Sequence, residues 1–217
     1  MWLKGFLKVC AATAVYALVH SALASRKVKQ TAQNLIGPHH RNALYRPFYL
    51  LQSVITMFPL VAYIRRQPGK TFYHLRGIAA IPFRLAQLGG VMWAVYAAYE
   101  VGMPEILGIR PVWQLLNGED SIAPEPEAQG PALTEHGLLR TTGPFRFSRH
   151  PLNLAPVIIF WLNPRQTTNL IAYNTVSTIY LLIGSLHEEV RLRAAYGEVY
   201  RQYERGPVPF YLPRLRS

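Results

Sequence analysis

Acidic residues are scarce in this chain: among 217 residues, 11 Asp and Glu stand against 23 Lys and Arg, a formal charge of +12. Cysteine is scarcer. Cys10 alone excludes an intramolecular disulfide and any cysteine-built zinc site, and its place in an apolar run makes it a buried packing residue. The chain has no G-x-G-x-x-G, no P-loop and no H-E-x-x-H, so dinucleotide, nucleotide and zinc-protease motifs are all missing. No repeat of 20–50 residues is visible either. With 15 glycines and 17 prolines lacking any period, the chain is not fibrous. Only 16% of the residues are charged while 50% are apolar, which excludes a disordered polyelectrolyte. The basic residues form no stripe and no basic–aromatic pattern, so nucleic acid is not the expected partner.

What is present is a set of uncharged runs separated by basic connections. Val9–Ser25, Pro47–Ile64, Leu85–Tyr99 and Gln166–Leu186 are the long ones, and Pro151–Asn163 is a shorter one carrying Pro156. A helix needs about 20 mostly apolar residues to cross the hydrocarbon of a bilayer. The pattern therefore predicts an all-α, polytopic transmembrane bundle of about five spans. Pro151–Asn163 would cross by tilt, a kink or a re-entrant path, and 163–166 would form a tight hairpin turn. Lys4, Lys8 and Ala22-Leu23-Ala24 imitate a signal peptide with its cleavage site, but the later runs favour a retained first span. With five spans, 15 of the Lys and Arg residues fall on the face shared by 25–46, 103–150 and the C-terminal tail, and 8 on the other. The positive-inside rule then puts the C-terminus in the cytoplasm, in a bacterial inner membrane. After Leu186 the pattern becomes an amphipathic helix ending at Gly206-Pro207. The expected organisation is one domain over 1–217, with N-terminal spans (1–102), a polar, irregular insert (103–137), mobile at Ala123–Pro131, and a C-terminal region (138–217).

Three clusters carry chemistry. Gly143-Pro144-Phe145-Arg146-Phe147-Ser148-Arg149-His150-Pro151 stands at the mouth of an apolar helix. It suits either a cationic juxtamembrane anchor or an anion site at a helix start. Glu188 and Glu189 are adjacent carboxylates near the end of a span, where they oppose the helix dipole. Pairing with Arg149, Arg191 or Arg193 would relieve them, as would a ligand's amino or hydroxyl groups. Tyr196, Tyr200 and Tyr203 fall on one helix face, as interfacial anchors or as part of a site. His20-Ser21, polar at membrane depth, is expected to face inward. His39, His40 and His74 lack ligand-spaced partners and are read as loop residues, so no metal is expected.

In order and spacing, Gly143-Pro144-Phe145-Arg146, then Arg149-His150-Pro151, an apolar hairpin, Glu188-Glu189 and Tyr196-Gly197-x-x-Tyr200-x-x-Tyr203 resemble the integral membrane methyltransferases. That superfamily includes the isoprenylcysteine carboxyl and phospholipid methyltransferases. His20–Ser25, Tyr45–Thr56, Tyr99–Trp113 and Phe160-Trp161-Leu162-Asn163-Pro164 resemble the methanethiol S-methyltransferase branch, and NnrU-like proteins share parts of the pattern. The resemblance implies a cytoplasm-facing S-adenosylmethionine pocket. Arg149, His150 and Pro151 would hold the cofactor, with Glu188 and Glu189 on its other side and Tyr200 and Tyr203 on a closing helix. The acceptor would be a small thiol or another apolar or lipidic molecule arriving from the bilayer, with Glu189 or His20 as its base. Prenylcysteine carboxylate, a phospholipid amine or a non-catalytic role are the alternatives. Two departures stand out: Asn153 replaces the family's usual aromatic, and Ala155 its usual glycine.

Overall fold

The computed structural model describes residues 1–126 and 129–212, and the chain is 73% helical. In order the helices are α1 (Trp2–Ala24), α2 (Arg26–Arg66), α3 (Ile81–Val101), α4 (Met103–Leu107), α5 (Ile109–Leu116), α6 (Pro151–Trp161), α7 (Thr168–Tyr196) and α8 (Glu198–Arg205). Two short strands, β1 (Thr71–His74) and β2 (Arg165–Thr167), pair with each other, and 3-10 turns at Gly77–Ala80 and Gly143–Arg146 complete the described elements. The all-α reading holds. Among the described residues, α1, α2, Gly77–Val101 and α7 are long and apolar enough to cross a membrane, which makes this an integral membrane protein. The fifth apolar segment, α6, has 11 residues and falls short of a full span.

Two compact units divide the chain. The first comprises Met1–Lys70, Pro104–Pro126 and Thr167–Ser177. Its core is Val9, Leu60, Ile64 and Ala172, ringed by Phe6, Tyr16, Met57 and Tyr173; Cys10 sits half-buried at the edge of this core. The region 25–46, expected as a connection, is helical instead. Ser25 Oγ caps α2 by accepting from Val28 N, and residues 26–36 are mostly good helix formers. The break comes at Gly37, whose φ of +78° suits glycine, just before Pro38. Two of the three histidines read as loop residues, His39 and His40, therefore lie on α2, and His74 lies in β1. The insert is likewise less irregular than its composition suggested, because its first part folds as α4 and α5. Arg46 Nε donates to Ile106 O at 2.7 Å, Asn42 Nδ2 donates to Ile122 O at 2.7 Å, and Glu125 Oε1 meets Lys29 Nζ at 2.5 Å. Glu127 of the insert and the basic tail residues Arg214 and Arg216 lie outside the described residues.

The second unit comprises Thr71–Met103, Glu127–Gln166 and Thr178–Ser217. Here α3 packs closely on α6: a Cβ at Gly90 would stand 2.9 Å from Ile159 Cγ1, and Gln87 Nε2 donates to Ile159 O at 2.9 Å. Ala155, one of the two departures, is fully buried there. Pro151 starts α6 at a position where its missing N–H has no partner to lose. The hairpin after α6 turns through Asn163, whose side chain accepts from Arg165 N at 2.9 Å, and continues into β2. Past Leu186, α7 runs on without a break to Tyr196, so the amphipathic helix expected to start there begins only at Glu198. Gly197, at φ +58°, makes the break, and Gly206 ends α8 as the sequence suggested.

Candidate functional site

The chain reverses at Gly143–Arg146 and enters α6 through Ser148-Arg149-His150, and this short approach carries the densest polar network of the second unit. Ser148 Oγ accepts from His150 N at 3.3 Å and donates to Phe210 O at 3.1 Å, which fixes the approach on both sides. His150 is 2% exposed. Its Nδ1 lies 3.1 Å from Glu188 Oε2 and its Nε2 3.2 Å from Glu189 Oε1, so one ring bridges both carboxylates. Burial by itself pushes the His150 pKa down, but the hydrogen bonds and charges of Glu188 and Glu189 outweigh it, and the net shift is upward.

Glu189 is the hub. It accepts from Arg149 Nε at 2.8 Å and from Arg193 Nη2 at 3.1 Å, one turn on along α7. Arg193 in turn meets Glu204 of α8 through Nε at 2.9 Å and Nη2 at 2.5 Å. Because α7 continues to Tyr196, the two carboxylates are not at its C-terminus, and the dipole penalty expected there is reduced. Arg149, His150 and Arg193 neutralise them in its place. Glu188 Oε1 also accepts from Gln129 N at 3.1 Å, and neighbouring Pro131 is fully buried, so the C-terminal end of Ala123–Pro131 is held against α7.

The tail after α8 folds back over this network. Arg149 N donates to Pro209 O at 3.0 Å, and its Nη1 donates to Glu204 O and Val208 O, each at 3.2 Å. The Phe210 ring lies tilted 4.7 Å from His150 and beneath the Arg149 guanidinium at 5.7 Å. Tyr211 OH pairs with Ser185 Oγ at 2.9 Å. Tyr203 OH donates to Phe145 O at 2.6 Å, whereas Tyr200 is fully buried and its hydroxyl has no hydrogen-bond partner among the described residues. Burial raises both tyrosine pKa values, so both stay protonated at neutral pH.

Six of the eight residues singled out from the sequence thus meet in one unit: Arg149, His150, Glu188, Glu189, Tyr200 and Tyr203. Pro151 adjoins them as the buried first residue of α6. His20 lies in the other unit, where its Nε2 meets Tyr49 OH at 2.5 Å and its Nδ1 meets Ser53 Oγ at 3.0 Å. Arg146, of the cluster at the helix mouth, is exposed and pairs with neither carboxylate. One sequence reading needs correction. Tyr196 does not share a helix with Tyr200 and Tyr203, because Gly197 separates α7 from α8.

The structure adds residues that the motifs did not single out. Asn153 Nδ2 donates to Ser185 Oγ at 2.8 Å and reaches Glu188 Oε2 at 3.4 Å, so the departure from an aromatic brings a polar contact. Ser185 could have been found from its spacing, three and four residues before the acidic pair on the same helix. Phe210 and Tyr211 were signalled only by an aromatic doublet following prolines. Together the site offers a guanidinium for an anion, carboxylates for an ammonium or a diol, an aromatic face for a flat ring, and an unsatisfied tyrosine hydroxyl.

No protein-family model matches the chain, and no solved structure matches it. Its sequence is similar to methanethiol S-methyltransferases. The one from Pseudomonas deceptionensis is 37% identical over 90 residues, covering 42% of this chain and 34% of that protein. The one from Crocosphaera subtropica is 27% identical over 201 residues, 92% of this chain and 71% of that protein. Methanethiol S-methyltransferase 1 of Bradyrhizobium diazoefficiens is 24% identical over 204 residues, 94% of this chain and 65% of that protein. The chain therefore spans about a third of the first relative's length and about two thirds of the other two. By its apolar helices and these alignments, the chain is similar to membrane methyltransferases of the methanethiol S-methyltransferase branch.

Proposed function

We propose that this chain is a membrane methyltransferase that transfers a methyl group from S-adenosylmethionine to a small thiol. The observation that carries the reading is the Arg149–His150–Glu188–Glu189 network, with His150 and Glu189 buried, beside Phe210 and Tyr211. The residues present fit that cofactor. Arg149 suits its carboxylate, Glu188 suits its ammonium or ribose hydroxyls, and the Tyr200 hydroxyl is a buried group without a partner among the described residues. When bound, the sulfonium supplies an already activated methyl group, so no metal is required for this transfer.

The chain's own work is then alignment and exclusion of water. Glu189 fixes Arg149 and His150 in one geometry, while the tail rings cover them. Glu189 and His20 are the two candidates for accepting the thiol proton. Arg149, His150 and Arg193 surround Glu189 with positive charge, which makes its carboxylate a weak proton acceptor. His20 is held by the hydroxyls of Tyr49 and Ser53.

On this reading residues 1–217 act as one enzyme, 138–217 carry the cofactor, and the acceptor enters from the bilayer. With α6 as a fifth crossing, the excess of basic residues on one face supports a cytoplasmic C-terminus in a bacterial inner membrane. Calorimetry of the detergent-purified protein with S-adenosylhomocysteine tests the cofactor: no heat from a monodisperse, folded sample sinks the reading. Headspace detection of dimethyl sulfide after adding methanethiol tests the acceptor.

A further inference from the structure

The first unit buries a second group of cations, remote in sequence from the Arg149 network. Lys29 is buried, and its ammonium is matched by Glu125 at 2.5 Å. Arg41 is 8% exposed and has no such match. Its Nη1 donates to Asn42 Oδ1 at 2.8 Å, and its guanidinium lies over the Tyr45 ring at 6.0 Å. Its Nε is buried without a hydrogen-bond acceptor, and no carboxylate among the described residues pairs with it. Arg46, just over one turn on, adds a further positive charge while donating to Ile106 O. A buried guanidinium with an idle donor is unfavourable, and an anionic oxygen is the group that satisfies it.

The position of this cluster says which kind of anion. At Arg46-Pro47 the charged half of α2 gives way to the uncharged run Pro47–Ile64, so the cations stand where lipid head groups meet hydrocarbon. At that same level α5 docks on α2: a Cβ at Gly108 would stand 2.8 Å from Pro47 Cδ. Eight residues make a helix of about 12 Å, too short to cross a bilayer. Ile109, Trp113 and Leu116, at i, i+4 and i+7, are all exposed on one of its faces, Trp113 to 64%. The helix contains no acid. An exposed apolar face bearing a tryptophan, level with the start of a span and beside buried cations, is a surface shaped for lipid.

We propose that Arg41, in the field of Arg46, and the Ile109/Trp113/Leu116 face of α5 form a binding site for an anionic phospholipid. The head-group phosphate accepts from the Arg41 guanidinium, and an acyl chain lies along α5. Arg41 and α5 take no part in the Arg149–His150 network, whereas Arg46 also lies over the Tyr49 ring at 6.0 Å, next to His20.

The test uses the full chain in a non-ionic detergent, with native mass spectrometry and thermal shift against phosphatidylglycerol, phosphatidylcholine and inorganic phosphate. Phosphatidylglycerol binds about tenfold more tightly than phosphatidylcholine, the difference expected for a charge-assisted phosphate contact in a basic pocket. Arg41→Gln abolishes that preference and Arg41→Lys keeps part of it, because a lysine restores the charge without the fork. Trp113→Ala weakens both lipids equally. S-adenosylhomocysteine binding stays unchanged in all three variants. Equal affinity for the two lipids overturns the proposal, and so does a preference that survives Arg41→Gln. Inorganic phosphate stabilising the protein as well as phosphatidylglycerol overturns it too, by showing a free-anion site. Should Arg41→Gln fail to fold, Arg41→Lys and Trp113→Ala decide the question.

Discussion

Two histidines, one in each unit, are held in opposite ways. His20 sits in α1 between the hydroxyls of Tyr49 and Ser53, which are neutral groups. His150 sits at the start of α6 between two carboxylates, which are themselves held by Arg149 and Arg193. The first arrangement satisfies hydrogen bonds and places little charge at membrane depth. The second concentrates charge where a polar loop, the end of a span and a returning tail meet. The difference separates two uses of the same side chain: one held by neutral hydroxyls between two helices, the other built into an ionic frame.

The largest way to break this contrast is Glu189→Ala. It strands Arg149 and His150 in a buried site, and removing one member of a buried ion pair costs about 3–5 kcal/mol. A lowered unfolding midpoint in detergent and lost S-adenosylhomocysteine binding are expected; unchanged stability would show that the frame is not ionic. Arg149→Ala comes next. It removes the guanidinium that holds Glu204 O, Val208 O and the Phe210 ring, so the tail after α8 becomes a site of limited proteolysis. Ligand affinity falls about 100-fold, the scale expected when a buried site can no longer make a charge-assisted bond to a carboxylate.

The contrast also has a pH signature. The folded pKa of His150 lies above its ordinary value of 6.5, so its protonated form stabilises the fold. That contribution is fully present below pH 6.5 and is lost as pH rises through the elevated folded value. Stability measured across that window should decline in the parent protein, and the slope should flatten in His150→Gln. A slope that persists in the variant would assign the titration elsewhere.

His20→Ala is milder. It loses two hydrogen bonds to neutral partners, about 1–2 kcal/mol in stability. If His20 takes the acceptor's proton, turnover collapses while S-adenosylhomocysteine affinity stays the same; loss of both together would make the residue structural. The smallest effect is expected of Asn153→Ala, about 1 kcal/mol for its hydrogen bond to Ser185. That substitution measures how much polar support the frame draws from α6.

The sequence carried much of this, and unevenly. Uncharged runs announced the long helices because a bilayer demands about 20 apolar residues whatever the tertiary contacts. The Arg149-His150 and Glu188-Glu189 pairs were legible because adjacent charges beside apolar runs are costly unless something answers them. Helix ends were less legible. Residues 26–46 carry five basic side chains and a proline yet remain mostly helical, since charge does not stop a helix and Gly37-Pro38 breaks it only locally. The extension of α7 to Tyr196 escaped notice because the pattern changed from membrane-like to amphipathic without the backbone changing. Phe210 and Tyr211 could not be placed at all. Their roles depend on a reversal at Gly206, and a reversal leaves no periodic trace in the residues that follow it.

The bonds between Arg149 and that returning segment bear on how the protein is made. Glu204, Val208 and Pro209 supply the carbonyls that orient Arg149, and Phe210 supplies the face beneath it. All four are translated after α7, when every long helix already exists. The ribosome must therefore deliver the membrane helices first and the last pieces of the ionic frame afterwards. A chain ending at Gly206 would keep Glu189 and the Glu204 carbonyl as partners of Arg149 but would lack Val208 O, Pro209 O and the Phe210 face, so the frame is completed only by the last residues made.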